Sequence, residues 1–479
     1  MKSVPSFPSF VRHTALAGVV AALGGCALFA PARSSAPEPP AMPIPARWTQ
    51  AAPGGTAAGS SAAEATRLAA WWGRFNDPQL SALVLRALDS NTDITSALAA
   101  LQQSRALRDG KQAAMGASVS ATASAQRSTS GTGSSATAGN SFAAGLDASW
   151  EPDIFGGKRA AVDATQADAD AALTTLGSVQ VSVAAEVAVA YIQLRGTQAQ
   201  LAIAQSNLQS QTETAQIVRW RAQAGLTTAV EVEQAATAVA QTAAQIPALQ
   251  TSISKTLHSI AVLTGQTPGA LTEALAPAQP VPVPEESLTL SLPADTLRQR
   301  PDVRAAEFKV AAARARVSQA EAARYPGFSL SGTLGLKSLT LGALTDGASL
   351  ASSLLASVAA PLLDGGAAKA NVRAQEAALA QTYESYRATV LTSLKEVEDA
   401  LAALQGDRQR LQQLQAAADA AQAAATLASQ RYQSGLIDFQ TVLTTQRTLL
   451  STQDSVASAR ADVSADHVRL YKALGGGWS

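Results

Sequence analysis

The chain of 479 residues has one cysteine, Cys26, so it holds no internal disulfide framework and no site built from several thiolates. It has no net charge, with 36 Lys and Arg against 36 Asp and Glu. Without a basic stripe to neutralise phosphates, nucleic acid is not expected as the main partner. Aromatic residues are only 4% of the chain and charged residues 15%. Abundant Ala, Ser, Thr and Gln suit close helix–helix approach and solvated faces better than a thick globular core. Of three histidines, His13 lies near the N-terminus, and His258 and His467 have no cysteine or acidic cluster at metal-ligand spacing. No nucleophile motif or phosphate loop is visible. Gly156-Gly157 and Gly475-Gly476-Gly477 are turn or tail glycines rather than a nucleotide fingerprint. The expectation is a protein that is not an enzyme and carries no cofactor or metal. Past residue 23 no apolar run is expected to form a transmembrane helix, so anything that crosses a membrane should be β.

Lys2 and Arg12 precede a short apolar stretch, Ala15 to Leu23, which reads as a signal peptide over residues 1–25. It ends in Leu23-Gly24-Gly25-Cys26, which resembles the lipobox of bacterial lipoproteins. That resemblance implies lipidation at Cys26. Ala27, rather than aspartate, implies the outer membrane as destination. Residues 26–66, rich in Pro, Ala, Ser and Gly, read as a lipidated flexible linker.

The rest of the chain repeats itself. Val232, Val239, Ile246, Ile253 and Ile260 fall seven residues apart, and Val442, Leu449, Val456, Val463 and Leu470 do the same 210 residues later. Gly196 matches Gly406 at this interval, and Arg221, Gly225 and Leu226 match Arg431, Gly435 and Leu436. A seven-residue apolar period marks helices that bury a narrow seam and supercoil left-handedly. The interval predicts two repeats, residues 67–275 and 276–479.

Each repeat also contains alternating stretches. Val119, Ala121, Ala123 and Ala125 alternate with Ser118, Ser120, Thr122 and Ser124; Phe142, Ala144, Leu146, Ala148 and Trp150 follow the same period of two. Phe328, Leu330, Leu334 and Leu336, then Leu350, Leu354, Ala356 and Val358, supply the second pair. The spacing predicts four strands of about ten residues, each with one apolar and one hydroxyl-rich face, as a tilted membrane strand beside a watery lumen requires. A soluble sheet with one buried face would look the same. After each pair come a turn and an unbroken helical stretch, about 158–221 and 367–432, of roughly 100 Å if continuous. Return helices follow, and Pro247 is expected to kink or break the first. A helix is also expected from Asp77 to Gly110. Four strands cannot close a barrel, and lipid tolerates no open edge, so copies must share one: about twelve strands for a trimer, about eight for a dimer.

Taken in order, several motifs resemble the outer-membrane factor, or TolC-like, family. They are the lipobox, Trp71-Trp72 with Phe75, Trp150-Glu151-Pro152-Asp153-Ile154-Phe155-Gly156, Arg300-Pro301-Asp302-Val303 and Ala323-Arg324-Tyr325-Pro326. Pro361-Leu362-Leu363-Asp364-Gly365-Gly366 and Arg431-Tyr432-Gln433-Ser434-Gly435 complete the set. The likeness is to the nodulation protein T-like lipoprotein subgroup that serves resistance–nodulation–division pumps. It implies a mainly α protein with a membrane β-barrel: a homotrimer whose long α-helical coiled-coil barrel hangs from a 12-stranded barrel in outer-membrane lipid. It also implies a periplasmic adaptor at the tips, an inner-membrane pump that supplies the energy, and passive conduction through the channel.

Two departures stand out. Met115-Gly116 occupies the place of Tyr325-Pro326. Relatives usually carry an aspartate in a Leu-Asp-Ala-Gln pattern at the gate, where this chain has Leu443-Thr444-Thr445-Gln446, with Gln440 one turn earlier. Asp438, Glu231 and Glu233 either substitute for that acidic ring or are ordinary solvated helix residues. Salt links from Arg221 or Arg431 to Asp438 or Glu231 are expected to close the pore. Gly225, Leu226, Gly435 and Leu436 are expected to meet the adaptor. A type I secretion channel and a periplasmic adaptor lipoprotein remain alternatives at this stage, although an adaptor would not need two hairpins and two strand pairs.

Overall fold

A computed structural model describes residues 44–45, 47–49, 70–131, 137–284 and 297–476. The signal segment, Cys26 and most of the linker lie outside the described residues. These form two compact units. The first takes in residues 104–169 and 308–384, and the second 42–103, 170–307 and 385–479.

After a 3-10 turn at Trp71–Phe75 come α1 (Pro78–Ser90) and α2 (Thr92–Ala113). The single helix expected over this stretch is therefore two. Asn91 divides them: its side-chain oxygen accepts from the Asp93 and Ile94 amides at 2.8 and 3.2 Å, and its amide nitrogen donates to the Leu263 carbonyl at 2.9 Å. A side chain that caps the second helix and also reaches a distant carbonyl competes with helix continuation.

The remaining elements are β1 (Ser118–Ser130), β2 (Thr137–Trp150), α3 (Gly157–Gln223), α4 (Ala229–Leu263) and the short α5 (Thr272–Leu275). Then come α6 (Pro301–Ala322), β3 (Gly327–Ser338), β4 (Leu350–Ala359), α7 (Ala367–Gln433) and α8 (Phe439–Ala473). α3 and α7 are single helices of 67 residues each, and α4 and α8 have 35 each, so the repeat extends to element lengths. α4 runs through Pro247 as one helix, so of the expected kink or break the break does not occur. α3 also contains a stretch apolar enough to cross a membrane by length and composition, contrary to the sequence reading; half of it is buried inside the protein.

In the first unit the strands form one antiparallel sheet in the order β1-β2-β3-β4. The register keeps the two faces separate. Ala121 pairs with Leu146, Leu146 with Leu334, and Leu330 with Ala356, while Ser118 pairs with Ser149, Ser149 with Ser331, and Thr333 with Ser353. One face is thus apolar across all four strands. The other carries a ladder of hydroxyl contacts: Ser118 to Ser149 at 2.8 Å, Thr333 to Ser353 at 2.8 Å and Ser329 to Ser357 at 2.7 Å, with Thr122 donating to Asp147 at 2.7 Å. Gly145 faces Gly335 across the middle of the sheet, where a Cβ on Gly145 would sit 2.9 Å from the Gly335 Cα. Only glycine fits both positions.

The second unit holds the main core. The α3 segment Val183–Leu194 packs with Trp71, Leu80, Val84, Ile260, Val468 and Tyr471. Trp71 stacks on Tyr471 with ring centres 5.3 Å apart. Two buried arginines tie loops to this core. Arg195 donates to Gln79, Gln198 and the Pro277 carbonyl. Arg300 donates to Asp302, Glu396 and the Ala473 carbonyl. Within the stretch read as a linker, Trp48 is buried against Val397 and Leu470, and the Thr49 amide donates to Glu398 at 2.7 Å.

Candidate channel gate and tips

The tips are the two turns that join α3 to α4 and α7 to α8, both within the second unit. Gly225 and Gly435 have φ of +71° and +73°, conformations that cost an L side chain. The Leu226 amide donates to the Arg221 carbonyl at 2.8 Å and the Gly225 amide to the Ala222 carbonyl at 3.0 Å; Leu436 and Gly435 repeat this with Arg431 and Tyr432 at 2.9 Å each. These paired bonds close the helix C-termini in the same way in both repeats. The Leu226 and Leu436 side chains at these turns are exposed.

The return helices start with side-chain caps. Thr228 begins α4 and Asp438 begins α8. The Asp438 carboxylate accepts from the Thr441 hydroxyl at 2.6 Å and from the Thr441 amide at 2.9 Å. Those bonds hold its pKa below the ordinary carboxylate value, so it stays ionised at the positive end of the helix.

Arg221 meets neither Asp438 nor Glu231 within hydrogen-bonding distance; no salt bridge among the described residues joins Arg221 or Arg431 to either acid. Its guanidinium instead lies over the Tyr432 ring, 4.7 Å from the centroid, and donates to the Tyr432 carbonyl at 2.9 Å. The expected pore-closing salt links are thus replaced, in the single chain, by a cation–π contact that joins one tip to the other. Glu231 accepts from Thr227 and, at 3.4 Å, from the Tyr432 hydroxyl. Burial and then the Glu231 charge push the Tyr432 pKa up. Tyr432 also packs on Phe439, Val442 and Leu443 in the cluster that joins the two hairpins. Its part is invisible in the sequence, because it depends on the pairing of residues about 200 positions apart.

Gln440 and Thr444 are exposed on the first two turns of α8. The Thr444 hydroxyl donates back to the Gln440 carbonyl at 2.9 Å, so the site carries no charge. Arg431 and Glu233 are exposed. Further along, polar pairs cross the helix seams: Gln446 with Thr214 at 3.1 Å, Thr242 with Gln211 at 2.8 Å and Asn207 with Gln453 at 2.9 Å. They fix register in a seam that is otherwise largely alanine.

The family of outer membrane efflux proteins matches residues 83–266 and again 292–476, one match per repeat. Nodulation protein T of Rhizobium leguminosarum bv. viciae is 30% identical over 92% of the chain and 89% of its own length. The toluene efflux pump outer membrane protein TtgF of Pseudomonas putida is 31% identical over 95% of both. Among solved structures, the outer-membrane channel OprN superposes with a TM-score of 0.82 at 34% identity, over 92% of this chain and 99% of that one.

Proposed function

The chain belongs to the outer membrane efflux protein family, and from that premise we propose how it works as the outer-membrane channel of a tripartite efflux system. Three copies each contribute four strands to a single 12-stranded barrel. The apolar sheet face meets outer-membrane lipid and the hydroxyl ladder lines a watery lumen. The α3–α4 and α7–α8 hairpins line the periplasmic conduit, and a periplasmic adaptor grips the tips at Leu226 and Leu436, linking the channel to an inner-membrane pump. The channel performs no chemistry; substrate moves passively and the pump supplies the energy.

The observation that carries this reading is the sheet. Its apolar face crosses all four strands with Ser352, opposite Leu334, as a hydroxyl within it, and among the described residues β1 and β4 each present an unpaired edge. An apolar face and an open edge together are stable in lipid only when other strands close the ring. A dimer would close eight strands and a trimer twelve, so the assembly is directly measurable. Light scattering of the detergent-purified protein should give three copies, migrating as a trimer on a gel until heated. A stable monomer would contradict the assembly.

The N-terminal sequence adds an anchor to this reading. Cys26 receives the lipid, so that Cys26→Ser loses fatty-acid labelling while trimer remains in the outer-membrane fraction. Retained labelling of that variant would rule out this site.

A further inference from the structure

The hydroxyl face of the sheet carries two charged residues along its whole register, Asp147 on β2 and Lys337 on β3. The remaining charge on the four strands, Arg127, falls on the apolar face opposite Asn140. The two lumen-side charges stand at different heights. Asp147 is opposite Thr333, whereas Lys337 is opposite Ala143, four residues further from the helices. At about 3.3 Å per residue they are roughly 13 Å apart along the strands. Asp147 lies near the end of β2 that leads into α3, and Lys337 lies at the end of β3 that leads into the β3–β4 connection.

The two charges are also held differently. Asp147 accepts from the Thr122 hydroxyl at 2.7 Å, which ties it to the wall. Lys337 is exposed and makes no hydrogen bond or ion pair among the described residues. Lysine is disfavoured in strands, and a solvated ammonium without a partner adds nothing to the stability of the sheet. Folding therefore gives no reason for a lysine at this position. The β3–β4 connection has one charge, Asp346, whose carbonyl accepts from Ser349 and which does not pair with Lys337.

Three-fold symmetry turns each residue into a ring of three like charges. We propose that the barrel lumen is zoned by charge, with the Lys337 ring at the outer mouth and the Asp147 ring nearer the helices. The outer ring concentrates anions and holds cations back; the inner ring does the reverse. Anionic solutes cross the outer mouth more readily than cationic ones of the same size, and Lys337 sets that preference. The proposal rests on the trimeric barrel above and adds which solutes its mouth favours.

Salt gives the zoning a signature. The screening length is about 30 Å at 0.01 M salt and about 3 Å at 1 M, so the rings act on passing solutes only when salt is low.

Charged thiol reagents read each zone separately. In the Cys26→Ser chain a reporter cysteine is the only thiol. Ala143→Cys sits opposite Lys337, and Ser331→Cys sits two residues from Thr333, the partner of Asp147. The trimer is placed in lipid nanodiscs, which leave both ends open to solution. Methanethiosulfonates bearing a sulfonate or a trimethylammonium group are then compared, each rate divided by that with free cysteine. At about 0.01 M salt Ala143→Cys should favour the anionic reagent about tenfold. Lys337→Gln should abolish this preference, and Asp346→Asn should strengthen it. Ser331→Cys should favour the cationic reagent until Asp147→Asn is added. Both preferences should vanish at 1 M salt.

Equal normalised rates at Ala143→Cys, or a preference indifferent to salt, would overturn the zoning while the barrel stands. A Leu334→Cys reporter on the apolar face should stay shielded by lipid; labelling as fast as at Ser331→Cys would mean that the barrel itself is wrong. Should Ala143→Cys not assemble, Ser141→Cys on the same face takes its place under the same criteria.

Discussion

The Arg221 guanidinium lies 4.7 Å from the centre of the Tyr432 ring and donates to the Tyr432 carbonyl at 2.9 Å, binding the end of α3 to the end of α7. A cation held over a ring face is worth about 0.5–2 kcal/mol, depending on desolvation. Arg221→Ala should therefore loosen the tips and raise the conductance of the resting channel in a planar bilayer, while the trimer yield stays unchanged because the residue is only half-buried. Unchanged conductance would remove this pair from the gate.

Thr444, proposed here as a gate residue, is uncharged and bonded back to its own helix. A ring of like charges in a narrow passage attracts multivalent cations strongly, and a ring of hydroxyls does not. Trivalent cations added from the periplasmic side should block the channel weakly, and Thr444→Asp should make that block much stronger. Strong block of the unsubstituted channel that survives neutralisation of Asp438, Glu231 and Glu233 would contradict this assignment.

Leu226 and Leu436 are exposed at the two turns, outside the packed cluster of the tips. Exposed side chains contribute little to folding, so Leu226→Asp with Leu436→Asp should leave trimer assembly intact and abolish efflux in cells, read as restored drug susceptibility. Normal resistance with both tips altered would place the adaptor contact elsewhere.

How much of this was legible in the sequence depended on how local the cause was. Period-two alternation gave the four strands and their faces, because strand side chains alternate whatever the partner. Repeat-matched glycines gave the turns, since positive φ selects glycine at that one position. The split at Asn91 was signalled by Asn91-Thr92-Asp93, a capping pattern, but its bond to the Leu263 carbonyl depends on tertiary contact. Pro247 was read as a kink or a break, yet one missing amide leaves the rest of the hydrogen-bond ladder of a 35-residue helix in place, and α4 stays a single helix. The Tyr432 contacts were hidden for a similar reason: they exist only once two hairpins far apart in sequence lie side by side.

Buried ionisable groups on α8 give the second unit a pH dependence. Burial, with the nearby Arg408 and Arg74 charges, lowers the His467 pKa to about 4. The unfolded chain then takes up a proton between about pH 6.5 and 4 while the folded one does not, so stability falls as pH falls through that window. Burial raises the pKa of neighbouring Asp466, despite Arg469 and with Asp407 adding to the rise. There the folded chain takes up the proton first, so this group gains stability as pH falls and opposes the histidine. His467→Leu should make the trimer less acid-labile in thermal unfolding between pH 7 and 4.5, and Asp466→Asn should make it more so. The same slope in both variants would show that neither group governs the transition.

Single-channel recording tests the central claim most directly. Purified unheated trimer in a planar bilayer should insert and conduct, and protein heated until the trimer dissociates should not. Its resting conductance should rise when the tips are loosened by Arg221→Ala, which ties the current to the gate and not to a leak. Absence of any conductance from intact trimer, or equal conductance from the dissociated chain, would contradict a barrel built from four strands of each copy.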